Sequence, residues 1–295
     1  MREYRGKQVT IMSCSDCNAR CEHCYISYSG NFKGTELLEM CKTFKNKYNI
    51  IINGTEVLLH DDYFEALKLS DQNRVLTNGL IIYNNPSILE KVKDAGITRV
   101  AMSYHFGTEV SHVPQYIVED CILKIKEYGL IPELMCTITV DNYNELDYIC
   151  EKVTSLGVKT IRLFNCINIG NCKDNCSDLC LNDEQIDDFF RNLNEQRKKY
   201  DIDQLRIKRN GLFGPDTCSS KNNFLCPAGV DEVVITPDLN VYPCIFMTKP
   251  GYEIGKYING KIMLYEFQNE GDTCIAHEVF NKHDESAFVK KLVRR

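Results

Sequence analysis

Short apolar runs alternate with amphipathic stretches over the first half of the chain. This alternation predicts repeated βα units around a parallel sheet. The apolar runs predict six strands, at Gln8–Met12, Tyr48–Ile52, Arg74–Leu76, Arg99–Ser103, Glu133–Thr139 and Thr160–Phe164. The stretches with helical periodicity are Thr35–Asn46, Asp61–Ser70, Asn85–Ala95, Pro114–Tyr128 and Asn144–Leu156. Gly96, Gly129 and Gly157 follow three of these helices, where glycine commonly terminates a helix.

The rhythm changes after residue 164. The segment Asn165–Cys180 holds four cysteines, and a polar helix is predicted at Asp183–Tyr200. Beyond Arg206, strand-like runs are separated by turns rich in Gly, Pro and Asp. These runs are Glu232–Thr236, Asn240–Cys244 and Lys261–Leu264. We therefore predict an α/β domain over residues 8–182 and a small α+β domain over residues 183–295.

Composition adds an unusual cysteine content, 16 of 295 residues. A chain with 43% hydrophobic residues can fill a core without disulfides. The N-terminus lacks a secretory signal and no stretch of 18 apolar residues occurs, so we expect a soluble, cytoplasmic protein with no membrane contact. Cysteines at motif-like spacing then indicate metal or redox chemistry. The net charge of −6 argues against nucleic-acid binding.

The first cysteine group follows the first predicted strand and reads Cys17-x3-Cys21-x2-Cys24. Three thiolates this close on one loop can converge on one face of an iron–sulfur cube and leave its fourth iron open. Structural zinc normally takes a closed set of four ligands. Cys14 could supply a fourth sulfur, so the count of thiols by itself leaves zinc open.

At these residues the sequence resembles the radical S-adenosylmethionine (radical SAM) superfamily, whose hallmark is CxxxCxxC after the first strand of a partial (β/α)6 TIM-like barrel. The resemblance places His23 at the usually aromatic position beside the adenine. The second strand is followed by Asn53-Gly54-Thr55-Glu56, where the family has a Gly-Gly-Glu-Pro-like turn that holds the methionine amino group. One glycine and the glutamate are kept, and the first glycine and the proline are not.

Later positions extend the resemblance in the same order along the chain. They are the Thr77-Asn78-Gly79 turn, Ser103 at the end of the fourth strand, the Asn142-to-Leu146 phrase, and Arg162 with Asn165 on the sixth strand. The resemblance therefore implies cofactor contacts from His23, Gly54, Thr55, Glu56, Asn78, Ser103, Asn142, Arg162 and Asn165.

The resemblance also implies a chemistry. S-adenosylmethionine (SAM) would bind the open iron of a [4Fe–4S] cluster on Cys17, Cys21 and Cys24. The reduced cluster would cleave it to a 5′-deoxyadenosyl radical, which takes hydrogen from a substrate carbon. We expect an external reductant such as flavodoxin or ferredoxin. The sequence identifies neither a catalytic residue nor the carbon attacked.

A second cysteine set lies in the C-terminal region and resembles the SPASM extension of these enzymes, or its shorter twitch form. The phrases are Cys226-Pro-Ala-Gly and Val-Tyr-Pro-Cys244, with Cys218 before them and Cys274 after. The resemblance implies one auxiliary [4Fe–4S] cluster on these four cysteines. Leu239 replaces the usual hairpin glycine, and no later CxxCx5C set follows. The alternative is that these thiols are buried apolar side chains.

A third set reads Cys172-x3-Cys176-x3-Cys180 and is not required by the family pattern. It could hold a further cluster with Cys166 or Cys14, hold zinc, or supply reactive thiols. Cys41, Cys121, Cys136 and Cys150 lie among apolar neighbours and are interpreted as core residues. His105 and Tyr104 follow the fourth strand and could contact substrate, although a lone histidine there is more often structural or solvated.

The sequence therefore favours a radical SAM enzyme that modifies a ribosomally made peptide or protein by crosslinking, epimerisation or excision. A leader-peptide-binding domain is expected to be a separate protein, or the substrate is recognised without one. One alternative is a twitch-type dehydrogenase of a small molecule such as an aminosugar. The other is a cysteine-rich zinc or redox-sensing protein.

Overall fold

The computed structural model describes residues 1–106, 113–175, 177–209, 226–269, 274–280 and 282–289. Its strands are β1 (Arg2–Glu3), β2 (Gln8–Met12), β3 (Asn49–Asn53), β4 (Arg74–Thr77), β5 (Arg99–Ser103), β6 (Ile131–Ile138), β7 (Thr160–Asn165), β8 (Arg206–Arg209), β9 (Glu232–Ile235), β10 (Asn240–Tyr242), β11 (Gly255–Ile258) and β12 (Lys261–Leu264). Its helices are α1 (Gly34–Phe44), α2 (Phe64–Leu67), α3 (Leu80–Asn84), α4 (Ile88–Asp94), α5 (Gln115–Glu127), α6 (Leu146–Ser155), α7 (Asn171–Asn175), α8 (Asp183–Lys199), α9 (Ile275–Phe280) and α10 (Ser286–Val289).

Two sheets carry the fold. Strands β4 to β8 form a five-stranded, wholly parallel sheet in sequence order. The other sheet has seven strands in the order β1-β12-β11-β10-β9-β2-β3. In it, β2 pairs in parallel with both β3 and β9, and β9 to β12 form antiparallel pairs. The parallel βα units predicted from the sequence are confirmed.

The two sheets meet between β3 and β4, which are not paired with each other. Side chains of the connecting turn replace part of the missing ladder. Asp71 Oδ2 accepts a hydrogen bond from Ile50 N at 2.9 Å, and Gln72 Oε1 accepts one from Ile52 N at 2.6 Å. These bonds satisfy backbone donors of the edge strand, which would otherwise be left without partners inside the protein.

Two predicted helices differ from the structure near residues 60 and 85. Asp61–Ser70 is a 3-10 turn at Asp61–Tyr63 followed by the single turn of α2. Asp62 accepts a hydrogen bond from Gly34 N at 2.7 Å, so this segment serves the start of α1. The predicted Asn85–Ala95 helix begins only at Ile88, because the residue before Pro86 takes an extended conformation.

A buried ion network lies inside the five-stranded sheet. The Glu133 side chain is 1% exposed. It accepts hydrogen bonds from Arg74 Nε at 2.7 Å, Arg99 Nη1 at 2.9 Å and Arg162 Nε at 3.0 Å. Burial opposes ionisation of Glu133, but the hydrogen bonds and charges of Arg162 and Arg74 outweigh it and hold its pKa below the usual value. The network ties β4, β5, β6 and β7 together.

Elements on both sides of the predicted domain boundary share sheets. Strand β8 adds to β7, and β9 adds to β2. The division at residue 182 therefore remains a prediction. Among the described residues, no helix has both the length and the apolar composition needed to cross a bilayer.

Candidate active site

The first cysteine group lies on the loop between β2 and α1, and the turn after β3 holds this loop in place. Thr55 Oγ1 donates to the carbonyls of Asp16 at 2.6 Å and Cys14 at 3.1 Å. Thr55 N also donates to the Cys14 carbonyl, at 3.0 Å. The Tyr28 hydroxyl donates to the same carbonyl at 2.7 Å. The loop is thus fixed at the carboxyl ends of the first two parallel strands.

Cys14 differs in its surroundings from the cysteines of the first group. Its side chain is fully buried and packs against Gly54, where a Cβ atom would lie 2.6 Å from Cys14 Sγ. Glycine at this position therefore permits the two strand ends to approach. Burial also raises the pKa of the Cys14 thiol, and Cys14 is not among the residues that line the cavity at the carboxyl ends of the strands. Cys14 is a packing residue, and the geometry gives no support to it as the fourth sulfur of a zinc site.

A cavity of about 190 Å³ opens at the carboxyl ends of the strands. All three cysteines of the first group line it. Six of the nine predicted cofactor contacts also line it, namely His23, Gly54, Thr55, Asn78, Ser103 and Asn165. Its apolar walls come from Leu76, Met135, Phe164, Ile167 and Phe246. The mouth of a parallel barrel is where active sites of such folds lie.

Cys17, Cys21 and Cys24 lie together in the wall of the cavity. Burial raises the pKa of Cys17 and of Cys24, and the charges of the neighbouring cysteines raise them further. Asn78 Nδ2 donates to Cys17 Sγ at 3.6 Å and to Asn18 Oδ1 at 2.8 Å. A soft metal centre suits this donor set, because coordination to a metal stabilises adjacent thiolates against their mutual repulsion. The three residues therefore fit an iron–sulfur cluster.

Glu56 lies directly behind the lining residues and is fully buried. Its Oε2 accepts hydrogen bonds from Asn78 N at 2.8 Å and Thr77 Oγ1 at 3.0 Å. Its Oε1 has no hydrogen-bond partner among the described residues. Burial raises the pKa of Glu56 to about 7. A buried carboxylate with one open oxygen fits the recognition of a ligand cation.

Two histidines pack together on the cavity wall. The rings of His23 and His105 meet edge to face, with centroids 4.3 Å apart. Within the described part of the chain, neither ring nitrogen of His105 has a hydrogen-bond partner. Burial, followed by the charge of His23, holds the pKa of His105 well below its usual value. His105 is therefore a neutral ring with polar atoms available to a ligand.

Asn142 and Arg162, also predicted as cofactor contacts, are not among the lining residues. Asn142 is buried, and its Nδ2 donates to the carbonyls of Phe106 at 2.8 Å and Thr137 at 3.2 Å. Arg162 binds Glu133 two residues before the lining residue Phe164. The cofactor contacts of these two residues remain predictions.

The second cysteine set is described at three of its four positions, because Cys218 lies outside the described residues. Burial raises the pKa of Cys244 well above its usual value, and the charges of Cys274 and Cys226 add to this. Phe246, two residues after Cys244, contacts Tyr25 with ring centroids 4.8 Å apart. Because Phe246 and Tyr25 both line the cavity, Cys244 lies close to the cavity wall.

Two cysteines of the third set lie close to Cys166, the residue that follows β7. Cys166, Cys172 and Cys180 have sulfurs that all lie within 4.8 Å of one another. Thiols of Cys166 and Cys172 donate to Cys180, which lowers the pKa of Cys180. Cys176 lies outside the described residues. The core assignment of Cys41, Cys121, Cys136 and Cys150 is confirmed, since all four are buried in the main hydrophobic core.

Several lining residues carried no sequence motif. Phe246 comes from a turn more than 200 residues after the cysteine loop, and Ile167 follows β7. The only sequence signal that marks Tyr25 as a lining residue is its position directly after Cys24. No local pattern marks such residues, because their position depends on the pairing of β2 with β9.

A partial parallel barrel with a cysteine loop at its mouth, continued by antiparallel hairpins, is the fold of radical SAM enzymes with SPASM domains. SuiB of Streptococcus suis matches 84% of this chain with a TM-score of 0.66 at 14% identity. The match covers 62% of SuiB, so the chain spans less than two thirds of that protein. The structure of anSMEcpe with bound S-adenosylmethionine matches 84% of this chain, and 77% of its own, with a TM-score of 0.65 at 18% identity. Neither a protein-family description nor a curated protein sequence matches the chain. The predicted fold class is thereby confirmed.

Proposed function

We propose that this protein is a radical SAM enzyme that modifies a peptide. The observation that carries the proposal is the cavity at the strand ends, which Cys17, Cys21 and Cys24 line together with six predicted cofactor contacts. When bound, a [4Fe–4S] cluster and SAM supply a 5′-deoxyadenosyl radical to this cavity. The fold, which matches those of SuiB and anSMEcpe, supports the same class of enzyme.

The residues of the chain have separable tasks in this proposal. Cys17, Cys21 and Cys24 hold the cluster, and the hydrogen bond from Asn78 to Cys17 Sγ orients one ligand and moderates its charge. Glu56 Oε1 accepts a hydrogen bond from the methionine ammonium of SAM. The apolar residues Leu76, Met135 and Phe164 exclude water from the cavity.

A peptide substrate is supported by the two related folds. SuiB has been solved bound to the precursor peptide SuiA, and anSMEcpe has been solved with bound peptides. A substrate contact from His105 is supported by its place in the cavity lining and by ring nitrogens that have no hydrogen-bond partner in the described residues. Cys226, Cys244 and Cys274 hold an auxiliary cluster beside the cavity. The aminosugar-type dehydrogenase is the alternative, and substrate labelling separates the two.

The test is anaerobic reconstitution with iron and sulfide, followed by reduction with dithionite and detection of 5′-deoxyadenosine by mass spectrometry. Replacement of Cys17, Cys21 and Cys24 by alanine is expected to remove about four irons and to abolish SAM cleavage. The matched control replaces three buried core thiols, Cys41, Cys121 and Cys150, and should retain both.

Two results would contradict the proposal. One is SAM cleavage that survives loss of the first cysteine group. The other is uptake of zinc with no iron. The peptide assignment is tested separately, by transfer of deuterium from a labelled peptide into 5′-deoxyadenosine. If a labelled aminosugar transfers deuterium and peptides do not, the substrate class is wrong while the enzyme class stands.

A further inference from the structure

Cys166, Cys172 and Cys180 form a compact group of thiols outside the first and second cysteine sets. Cys166 follows β7, Cys172 lies on α7, and Cys180 follows the 3-10 turn Ser177–Leu179. All three sulfurs lie within 4.8 Å of one another, and the Sγ atoms of Cys166 and Cys172 are 3.0 Å apart. Among the described residues, no other set of three histidine, cysteine or acidic side chains meets this distance.

We propose that Cys166, Cys172 and Cys180 bind a single thiophilic divalent metal ion of the zinc type, at a site separate from the proposed iron–sulfur clusters. A zinc–sulfur bond is about 2.3 Å, so the edge of a tetrahedral zinc–thiolate site is about 3.8 Å. The observed spacing brackets that value. A cubane cluster holds each thiolate on a different iron and needs its ligands farther apart.

The surroundings of these thiols differ from those of the core cysteines. Cys166 and Cys172 are buried, but they form a small cluster of their own with Leu179 and Cys180 packed against it. The core thiols, by contrast, belong to the main hydrophobic core. The sulfurs of these three cysteines therefore lie mainly against one another and Leu179, an arrangement that suits ligands to a shared ion.

The backbone prearranges the three ligands. Cys166 N donates to the carbonyl of Ile138 at 3.0 Å, and Val140 N donates to the carbonyl of Leu179 at 3.1 Å. Ile138 is the last residue of β6 and Val140 lies two residues beyond it, so the end of this strand positions Cys166 and the residue before Cys180. Asn182 then starts α8 with a capping box, which limits movement of Cys180 from the other side. Ligands held in this way do not have to be ordered by the metal.

The site adjoins the cavity. Cys166 is one of its lining residues. The loop before α7 packs on the first cysteine group, since Asn171 N donates to the carbonyl of Cys24 at 2.9 Å. Three protein sulfurs leave the fourth position of a tetrahedral ion to another ligand. A metal here would brace α7 against the cysteine loop and present a Lewis-acidic centre beside the substrate cavity.

The test uses the full chain with Cys17, Cys21 and Cys24 replaced by alanine, titrated anaerobically with Co²⁺ alone. We expect thiolate-to-cobalt charge-transfer bands and tetrahedral d–d bands. Further replacement of Cys166, Cys172 and Cys180 by serine should remove one equivalent of cobalt. Replacement of Cys41, Cys121 and Cys150 in the same background is the matched control and should leave the equivalents unchanged.

A single substitution tests the same site in case the triple variant does not fold. Cys180→Ser alone, at the half-buried ligand, should weaken cobalt binding by at least about tenfold, since even outer-shell changes cost that much. In the protein with its first cysteine group intact, the triple serine variant should lose one zinc per chain and keep its iron. Unchanged cobalt equivalents, a loss of about four irons, or a disulfide between Cys166 and Cys172 in the anaerobic protein would each overturn the proposal. None of these outcomes depends on SAM cleavage, so the two proposals fail independently.

Discussion

At the scale of single residues, the site depends on side chains whose protonation the fold alters. Glu56 is the clearest case, because burial raises its pKa from 4.5 to about 7 while its Oε1 stays without a partner in the described residues. Without a bound cation, ionised Glu56 lowers the free energy of unfolding, because its buried charge is not compensated. The fold is therefore favoured below pH 4.5, and this contribution is lost as the pH rises through about 7.

The affinity for SAM should change with pH in the opposite direction from the folding stability. Binding of an ammonium group needs ionised Glu56, so the affinity for SAM should rise with pH through about 7. Glu56→Gln should bind SAM more weakly and should lack this component of the pH dependence. Calorimetry on the reconstituted protein between about pH 6 and about pH 8 measures the effect. The exposed Glu65→Gln variant is the control, and an identical pH dependence in wild type and Glu56→Gln would refute the role.

At the scale of elements, backbone conformation decides how the loops around the cavity dock. Gly170 has φ +59°, and a Cβ atom there would lie 2.5 Å from the carbonyl oxygen of Cys24. The turn before α7 can therefore approach the cysteine loop only if it carries glycine. Asn259 and Gly260 likewise have positive φ and form the turn between β11 and β12, a signal that would have predicted the missed strand β11.

Gly170→Ala should displace the cysteine loop, because the clash is with backbone that cannot rotate away. We expect reduced iron incorporation after reconstitution and a lower melting temperature. Gly96→Ala is the matched control, since Gly96 also has positive φ, +79°, but nothing within 4 Å of the added Cβ. Both variants carry conformational strain of about 1 kcal/mol, so equal iron content in the two would rule out the docking role of Gly170.

At the scale of the whole molecule, the strands of the parallel sheet are tied together by the Glu133 carboxylate and the guanidinium groups of three arginines. Leu76, Met135 and Phe164, which line the cavity, lie two residues after Arg74, Glu133 and Arg162 on their strands. The network therefore forms the layer beneath the cavity. Removing Glu133 would leave three partly buried guanidinium groups together without a counter-charge.

Glu133→Gln should destabilise the protein by about 3–5 kcal/mol, the range for breaking a buried ion pair. The pKa of Glu133 is depressed, so its contribution is present above pH 4.5 and is lost as the pH falls below that value. Urea unfolding at neutral and acidic pH measures both effects. Glu65→Gln, which breaks an exposed pair with Lys68, should have little effect on stability, because solvent screens this pair. A similar cost for the two variants would show that the network does not stabilise the barrel.

Local pattern was enough for much of the fold. The strands at Gln8–Met12 and Arg99–Ser103 match their predicted bounds, and Gly96, Gly129 and Gly157 all have the positive φ expected of helix terminators. The prediction failed where tertiary contacts redirect a segment, as at Asp62, which binds the start of α1. It also missed β8, a run of Arg, Ile and Lys that shows no apolar alternation.

The sequence by itself determined the βα rhythm and the first cysteine group, because periodicity and ligand spacing are local properties of the chain. Only the tertiary structure decided which distant residues meet. It buried Cys14, joined β9 to β2 and so brought Phe246 to the cavity, and gathered Cys166, Cys172 and Cys180. Such contacts depend on strand pairing and loop docking across many residues, and no window of sequence contains them.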